Sequence, residues 1–291
     1  MKTYGDYLSR FFPGQKIQKI SIDAGFSCPN RDGTISFGGC IYCRNDSFSP
    51  KYCNPSLSVK KQLEEGKKFF ARKYPEMKYL AYFQSYTGTH DIEPKRLFAL
   101  YNEALEVEDI IGLVVATRPD CIPGDKLDIL YEINKRVPVF IELGVESSYD
   151  ETLKLINRNH TWLDVVDAVE RIAIRNIHCG LHLIAGLPGE TKEMILSTID
   201  KVTALPIETI KLHQLQVLKD TPLYYISQKG EIKVPVFSLE EYLELCAEIV
   251  KRVPEHIIIE RFLSQSPPHL VISPDWGLKN HEFMAKLEKL L

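Results

Sequence analysis

An α/β fold, a partial (β/α)6 TIM-like barrel with a small C-terminal extension, is what this sequence predicts. Three observations carry that prediction: six short runs rich in Ile, Val and Leu, amphipathic stretches between them, and polar residues after every run. Short apolar runs without strict alternation are those of strands buried on both faces. Strands separated by helices pair in parallel through right-handed crossovers. Six such units are too few for a closed eight-fold barrel, so the sheet is expected to be open or strongly curved.

In chain order the strands are expected at residues 17–22, 79–84, 110–116, 137–145, 178–185 and 209–216. Helical periodicity falls between them, at 56–74, 94–106, 124–136, 163–175 and 190–205. In the third of these, Leu127, Leu130 and Tyr131 share one face. Thr161 suits a helix N-cap and Pro94 a first turn. The composition shifts near residues 230–235, after which a helix (238–253), a strand (257–261) and a terminal helix (280–291) follow. Residues 1–235 are therefore expected to form the barrel and 236–291 an α/β extension packed on it.

The bulk properties are those of an ordinary soluble chain. With 291 residues, 44% of them hydrophobic, it can bury a large core. A net charge of −3 argues against a dedicated nucleic-acid coat protein. No apolar run reaches the length of a membrane span, and the first residues lack the pattern of a secretory signal. Seven irregularly placed cysteines fit free thiols and metal ligands in a reducing cytoplasm, the expected location.

Cys28, Cys40 and Cys43 form C-x11-C-x2-C directly after the first strand. Structural zinc closes with four protein ligands, whereas three thiolates leave one position for a non-protein ligand. On a cubane iron–sulfur cluster, three thiolates leave one iron open. Gly33, Gly38 and Gly39 give the loop room to fold around a bulky inorganic group. A zinc site completed by a histidine or by Cys53 is the competing reading.

Chemistry in parallel α/β folds collects beyond the carboxyl ends of the strands. After the second strand come Gln84, Ser85, Tyr86, Thr87, His90 and Asp91; after the third, Arg118 and Asp120. The fourth is followed by Glu146, Ser147 and Arg158, and ends near Glu142. The fifth carries His182, Gly186, Gly189 and Glu190, and the sixth His213 and Gln214. Each histidine alone reads as well as a satisfied core residue. A helix bearing Lys60, Lys61, Lys67, Lys68, Arg72 and Lys73, interrupted by Glu64 and Glu65, reads as a solvated face more than as an RNA platform.

The motifs CPNRDGTISFGGCIYC, YFQSYTGTH, TRPD, ELGVES, INRNHT, HLIAGLPGE, KLHQLQ and ERFLSQSPPHLVISPDWGLKN occur in that order. Together they resemble those of radical S-adenosylmethionine enzymes, in the branch of the YtqA/YhcC-like proteins and the Elp3 radical core. The resemblance implies a [4Fe–4S] cluster on Cys28, Cys40 and Cys43, with S-adenosylmethionine on the open iron. One electron, from an external donor such as flavodoxin or ferredoxin, then cleaves S-adenosylmethionine to a 5′-deoxyadenosyl radical that abstracts a substrate hydrogen. It also implies Tyr42 beside the adenine, Gln84, Ser85 and Thr87 near the methionine amino group, and Glu146 and Ser147 at the ribose. Arg158 is implied at the carboxylate, and the segment from His182 through Gly186 to Glu190 near the adenine.

For the substrate, the same resemblance implies a modified nucleobase, as in queuine lyase-type carbon–nitrogen cleavage in queuosine salvage, or the wobble base of tRNA. His90 and Asp91 depart from the usual Asn-Thr-Tyr form of their loop and, with His213, are the candidate catalytic residues. A non-enzymatic zinc-binding scaffold is the remaining class. The tail motif with Trp276 and Asn280 either closes over substrate or seals the barrel bottom.

Overall fold

The computed structural model describes residues 2–71 and 76–291. Strands β1 (Lys16–Ile22), β2 (Met77–Phe83), β3 (Ile110–Thr117), β4 (Val139–Glu146), β5 (His178–Ala185) and β6 (Thr209–Gln214) lie side by side in sequence order, every pair parallel. Seven strands rather than six make up this sheet. A two-stranded ribbon pairs β7 (Val217–Leu218) with β9 (Val271–Ser273), while β8 (Ile258–Arg261) joins the main sheet parallel to β6. A strand from the C-terminal stretch thus covers the edge that β6 would otherwise present bare.

Ten helices accompany the strands among the described residues: α1 (Tyr4–Leu8), α2 (Val59–Ala71), α3 (Pro94–Leu105), α4 (Gly124–Asn134), α5 (Asp150–Leu155), α6 (Trp162–Ile174), α7 (Lys192–Thr203), α8 (Pro222–Gln228), α9 (Leu239–Arg252) and α10 (Asn280–Leu287). Thr161 caps α6 as expected, in a capping box with Asp164. The short α1, α5 and α8 escaped the periodicity reading because five to seven residues show too few turns. None of these helices is long and apolar enough to cross a membrane.

Outward-facing strand residues such as Ile20, Leu113, Ile141 and Leu181 meet the helices in one large buried cluster. Alternate residues point the other way, into the half-barrel. At its amino-terminal end Tyr7, Leu8 and Phe12 form a second apolar cluster with Leu80, Val114, Phe140 and Ile258. The chain start therefore plugs that end. Along β4 the inward positions Phe140, Glu142 and Gly144 run from apolar to charged to small, and the interior changes character with them.

The lysine-rich α2 is tied down locally. Lys61 and Lys68 both reach Glu65, and Lys67 reaches Asp109. Arg72 and Lys73 lie outside the described residues.

Candidate active site

The connection from β1 to α2 carries Cys28, Cys40 and Cys43, and all three line one cavity of about 500 Å³ at the carboxyl ends of the strands. The backbone turns tightly there: Arg31 N donates to the Cys28 carbonyl at 2.7 Å and Cys43 N to the Cys40 carbonyl at 2.9 Å. Gly33, Gly38 and Gly39 take φ of 91°, 80° and 81°, a region that disfavours any Cβ. The segment after α5 clamps the loop: Asn157 Nδ2 donates to Gly39 O (2.8 Å), Ile41 N to Ile156 O (3.1 Å) and Asn30 Nδ2 to Arg158 O (3.0 Å). Burial, reinforced by Cys40, pushes the Cys43 thiol up to about 11, with Arg31 opposing.

Among the described residues no three His, Cys, Asp or Glu side chains close on a single metal ion. Tetrahedral zinc needs that convergence, with ligands about 2.0–2.3 Å from one point. A cubane takes its thiolates on separate irons, and three thiols lining one cavity suit that arrangement. Cys53 lies off the cavity and donates its thiol to Ser21 O at 3.0 Å. Burial lifts that thiol to about 12.

Beside the cysteines, Tyr42, Glu146, Arg158 and Arg118 line the wall. The chain reaches Glu146 with φ 68°, where the β4–β5 register also slips. Backbone of this kind costs of order 1–3 kcal/mol and gathers at functional sites; here it accompanies a carboxylate on the cavity wall. Burial raises the Glu146 carboxyl, and Arg158, 3.5 Å away, counters. Arg158 also donates to Gly144 O at 2.6 Å, yet its buried Nε has no partner. Arg118 pairs with Asp120 at 2.7 Å and leaves Nη1 unpartnered. Two orphaned guanidinium donors in the wall are an unfilled hydrogen-bonding capacity, as expected of a cradle for a polar ligand.

Deeper in, four charges meet between the strands. Glu142 is 2.6 Å from Lys19 and 2.7 Å from Lys211, and Lys19 also reaches Glu260 at 3.0 Å. Tyr82 donates to Glu142 at 2.6 Å. Burial would raise the Glu142 carboxyl, but Lys19 and Lys211 hold it well below the usual range. His182 stands 2.8 Å from Glu142, and burial, with Lys211 next, pushes its ring down to about 4. The sequence reading missed Lys19, Lys211, Glu260 and Arg261. The available signal was a lysine inside each of two apolar strands, KIQKISI and TIKLHQ.

Of the candidate ligand residues, Tyr42, Gln84, Thr87, Glu146, Arg158 and His182 line the cavity with the three cysteines, and so does His213. Five others are placed elsewhere. Ser85 is buried away from the lining. Ser147 is turned into the protein, where its hydroxyl donates to Glu190. Gly186, with φ 89°, faces the Phe237 ring and Pro235 O. His90 is held 2.8 Å from Asp32 behind the cysteine loop, and Asp91 is exposed at φ 45°. Ser85, Ser147 and Gly186 lie just past their strand ends, where the turn of the chain sets the side-chain direction, and the turn after Gln84 carries His90 and Asp91 past the rim. Trp276 packs on Tyr242 of α9 with ring centroids 5.2 Å apart, and Asn280 accepts from Phe262 N, so neither closes over the cavity.

Comparison with known proteins agrees with this architecture. The radical SAM superfamily model matches residues 30–202 and the radical SAM C-terminal domain model residues 207–291. YtqA of Bacillus subtilis is 34% identical over 279 residues, covering 96% of this chain and 85% of YtqA. YhcC of Escherichia coli is 34% identical over 292 residues, covering 100% and 92%. The solved Elp3 of Methanocaldococcus infernus superposes with a TM-score of 0.69 at 18% identity, over 95% of this chain and 62% of that one, which is a likeness of fold. With family models over most of its length and full-length relatives at this identity, the chain belongs to the radical SAM superfamily, whose members use a [4Fe–4S] cluster and S-adenosylmethionine.

Proposed function

We propose that Cys28, Cys40 and Cys43 hold the cluster and that this radical SAM enzyme acts on a modified nucleobase, cleaving a carbon–nitrogen bond in the manner of a queuine lyase. The observation that carries the proposal is the cavity itself. Three thiols line it together with paired charges and histidines. About 500 Å³ is within the range of small-ligand pockets, so the site suits small molecules, whereas tRNA would have to insert one nucleotide.

When bound and reduced, the cluster supplies the electron that cleaves S-adenosylmethionine. The chain's own residues do the positioning. Arg158 presents its free Nε to the cofactor carboxylate, Glu146 accepts from ribose hydroxyls, Tyr42 packs at the adenine, and Gln84 and Thr87 stand toward the amino group. The apolar plug closes the far end against water. His182, kept neutral near pH 7 by burial, donates Nε2–H to the Glu142 carboxylate and so presents Nδ1 as a hydrogen-bond acceptor. Radical SAM enzymes need a reductant, and flavodoxin or ferredoxin is the donor proposed here.

Anaerobic purification followed by metal analysis tests the cluster. Iron and sulfide near four per chain are expected, and stoichiometric zinc alone would establish the scaffold reading instead. With reductant, S-adenosylmethionine and queuine, the products expected are 7-aminomethyl-7-deazaguanine and 5′-deoxyadenosine. Cys40→Ala should form neither. Turnover of intact tRNA in place of queuine would move the substrate to the wobble base.

A further inference from the structure

The charged side chains around the cavity pair with opposite charges, apart from Arg31, which lies against the cysteines and donates to Cys43 O, and Arg261. Glu142 and Glu260 offset Lys19 and Lys211, Glu146 stands beside Arg158, and Asp120 pairs with Arg118. Arg261, at the end of β8, lines the same cavity with no carboxylate in ion-pairing distance among the described residues. The adjoining Glu260 is turned to the two lysines. The side-chain neighbour of Arg261 is the His213 ring, whose nitrogens lie 3.2 and 3.5 Å from Nη2. Burial and the nearby guanidinium hold that ring well below its ordinary pKa, so it stays neutral and adds no second positive charge. The Arg261 Nε, a donor, is buried without a hydrogen-bond partner.

A guanidinium left without an anion in a protein wall is costly, and its fork matches the oxygens of carboxylate and phosphate. His213, Ser264 and Gln214 already support the spot, Ser264 donating to Gln214 O at 2.9 Å and lying 3.2 Å from His213 Nδ1. We infer that Arg261 forms an anion subsite that grips a phosphate or carboxylate group of the substrate. This rests on the reading of the cavity as the place where cofactor and substrate meet; queuine itself carries no anion, so the subsite selects a phosphorylated or carboxylated form of the modified base over the free base. Arg158, beside Cys40 and Glu146, is left for the cofactor carboxylate.

The test uses the full chain with its cluster reconstituted. Equilibrium dialysis compares guanosine with guanosine 5′-monophosphate, and 7-deazaguanine with its 7-carboxy derivative, in the presence of S-adenosylmethionine. A charge-assisted contact should favour one anionic probe over its neutral partner by about ten- to a hundredfold, and which pair shows it separates phosphate from carboxylate. Arg261→Gln should abolish the preference, leave S-adenosylmethionine affinity unchanged and retain the melting temperature. Arg261→Lys, which keeps the charge, should restore part of it. Equal binding of neutral and anionic probes would overturn the inference, as would a preference that survives Arg261→Gln. Loss of S-adenosylmethionine binding in that variant would overturn it too, by assigning Arg261 to the cofactor. Because these readouts are binding affinities, failure of queuine turnover leaves them measurable.

Discussion

Glu190 offers the sharpest quantitative check on the structure. Its carboxyl is buried at the start of α7, receiving the Ser147 hydroxyl, and burial lifts it from 4.5 to about 7 against the opposing contacts of Ser147 and Thr152. An acid whose folded pKa lies above its unfolded value stabilises the fold fully below the unfolded pKa. That share is lost as the pH climbs through about 7. The interval from 4.5 to about 7 corresponds to about 3 kcal/mol, at about 1.4 kcal/mol for each pH unit. Glu190→Gln keeps the shape and an acceptor for Ser147 but never ionises. Measured by urea unfolding, the variant should therefore gain on the wild type by about 2–3 kcal/mol between about pH 5 and about pH 8. A stability difference flat across that range would refute the buried, neutral carboxyl.

Two further outcomes follow from the same geometry. Glu142→Gln removes the carboxylate that touches Lys19, Lys211 and His182 together, and breaking a buried pair of this kind costs about 3–5 kcal/mol; urea unfolding at neutral pH measures it, and a loss under about 1 kcal/mol would mean the lysines repartner freely on Glu260. Thr161→Ala removes the acceptor for Asp164 N at the start of α6 and should cost about 1 kcal/mol, with cluster content unaffected in iron analysis.

Much of the fold was legible because the strands of a parallel sheet are buried on both sides. Residues 178–185 match β5 at both ends, and 110–116 fall one residue short of β3. The seventh strand was visible as a strand but not as a member of the sheet, since pairing between β6 and β8 joins residues about fifty positions apart. Within the site, Cys28, Cys40 and Cys43 stand out by spacing, and Arg158 and Glu146 by their positions after β4. His90 and Ser147 looked equally promising. In one case the loop turned the side chain to Asp32, in the other the strand end turned it to Glu190.

By itself the sequence determined the order of strands and helices, the family and its cofactors, because these rest on local patterns: apolar runs, caps, and cysteines a fixed number of residues apart. Only the tertiary structure decided which polar residues share a cavity. Lys19, Glu142, Lys211 and Glu260 come from four different strands and meet because alternate residues of a curved sheet point inward at one level. Arg261 acquires its meaning the same way, from the charges around it, since an unbalanced guanidinium is a property of the assembled cavity and not of the segment ERFLSQS.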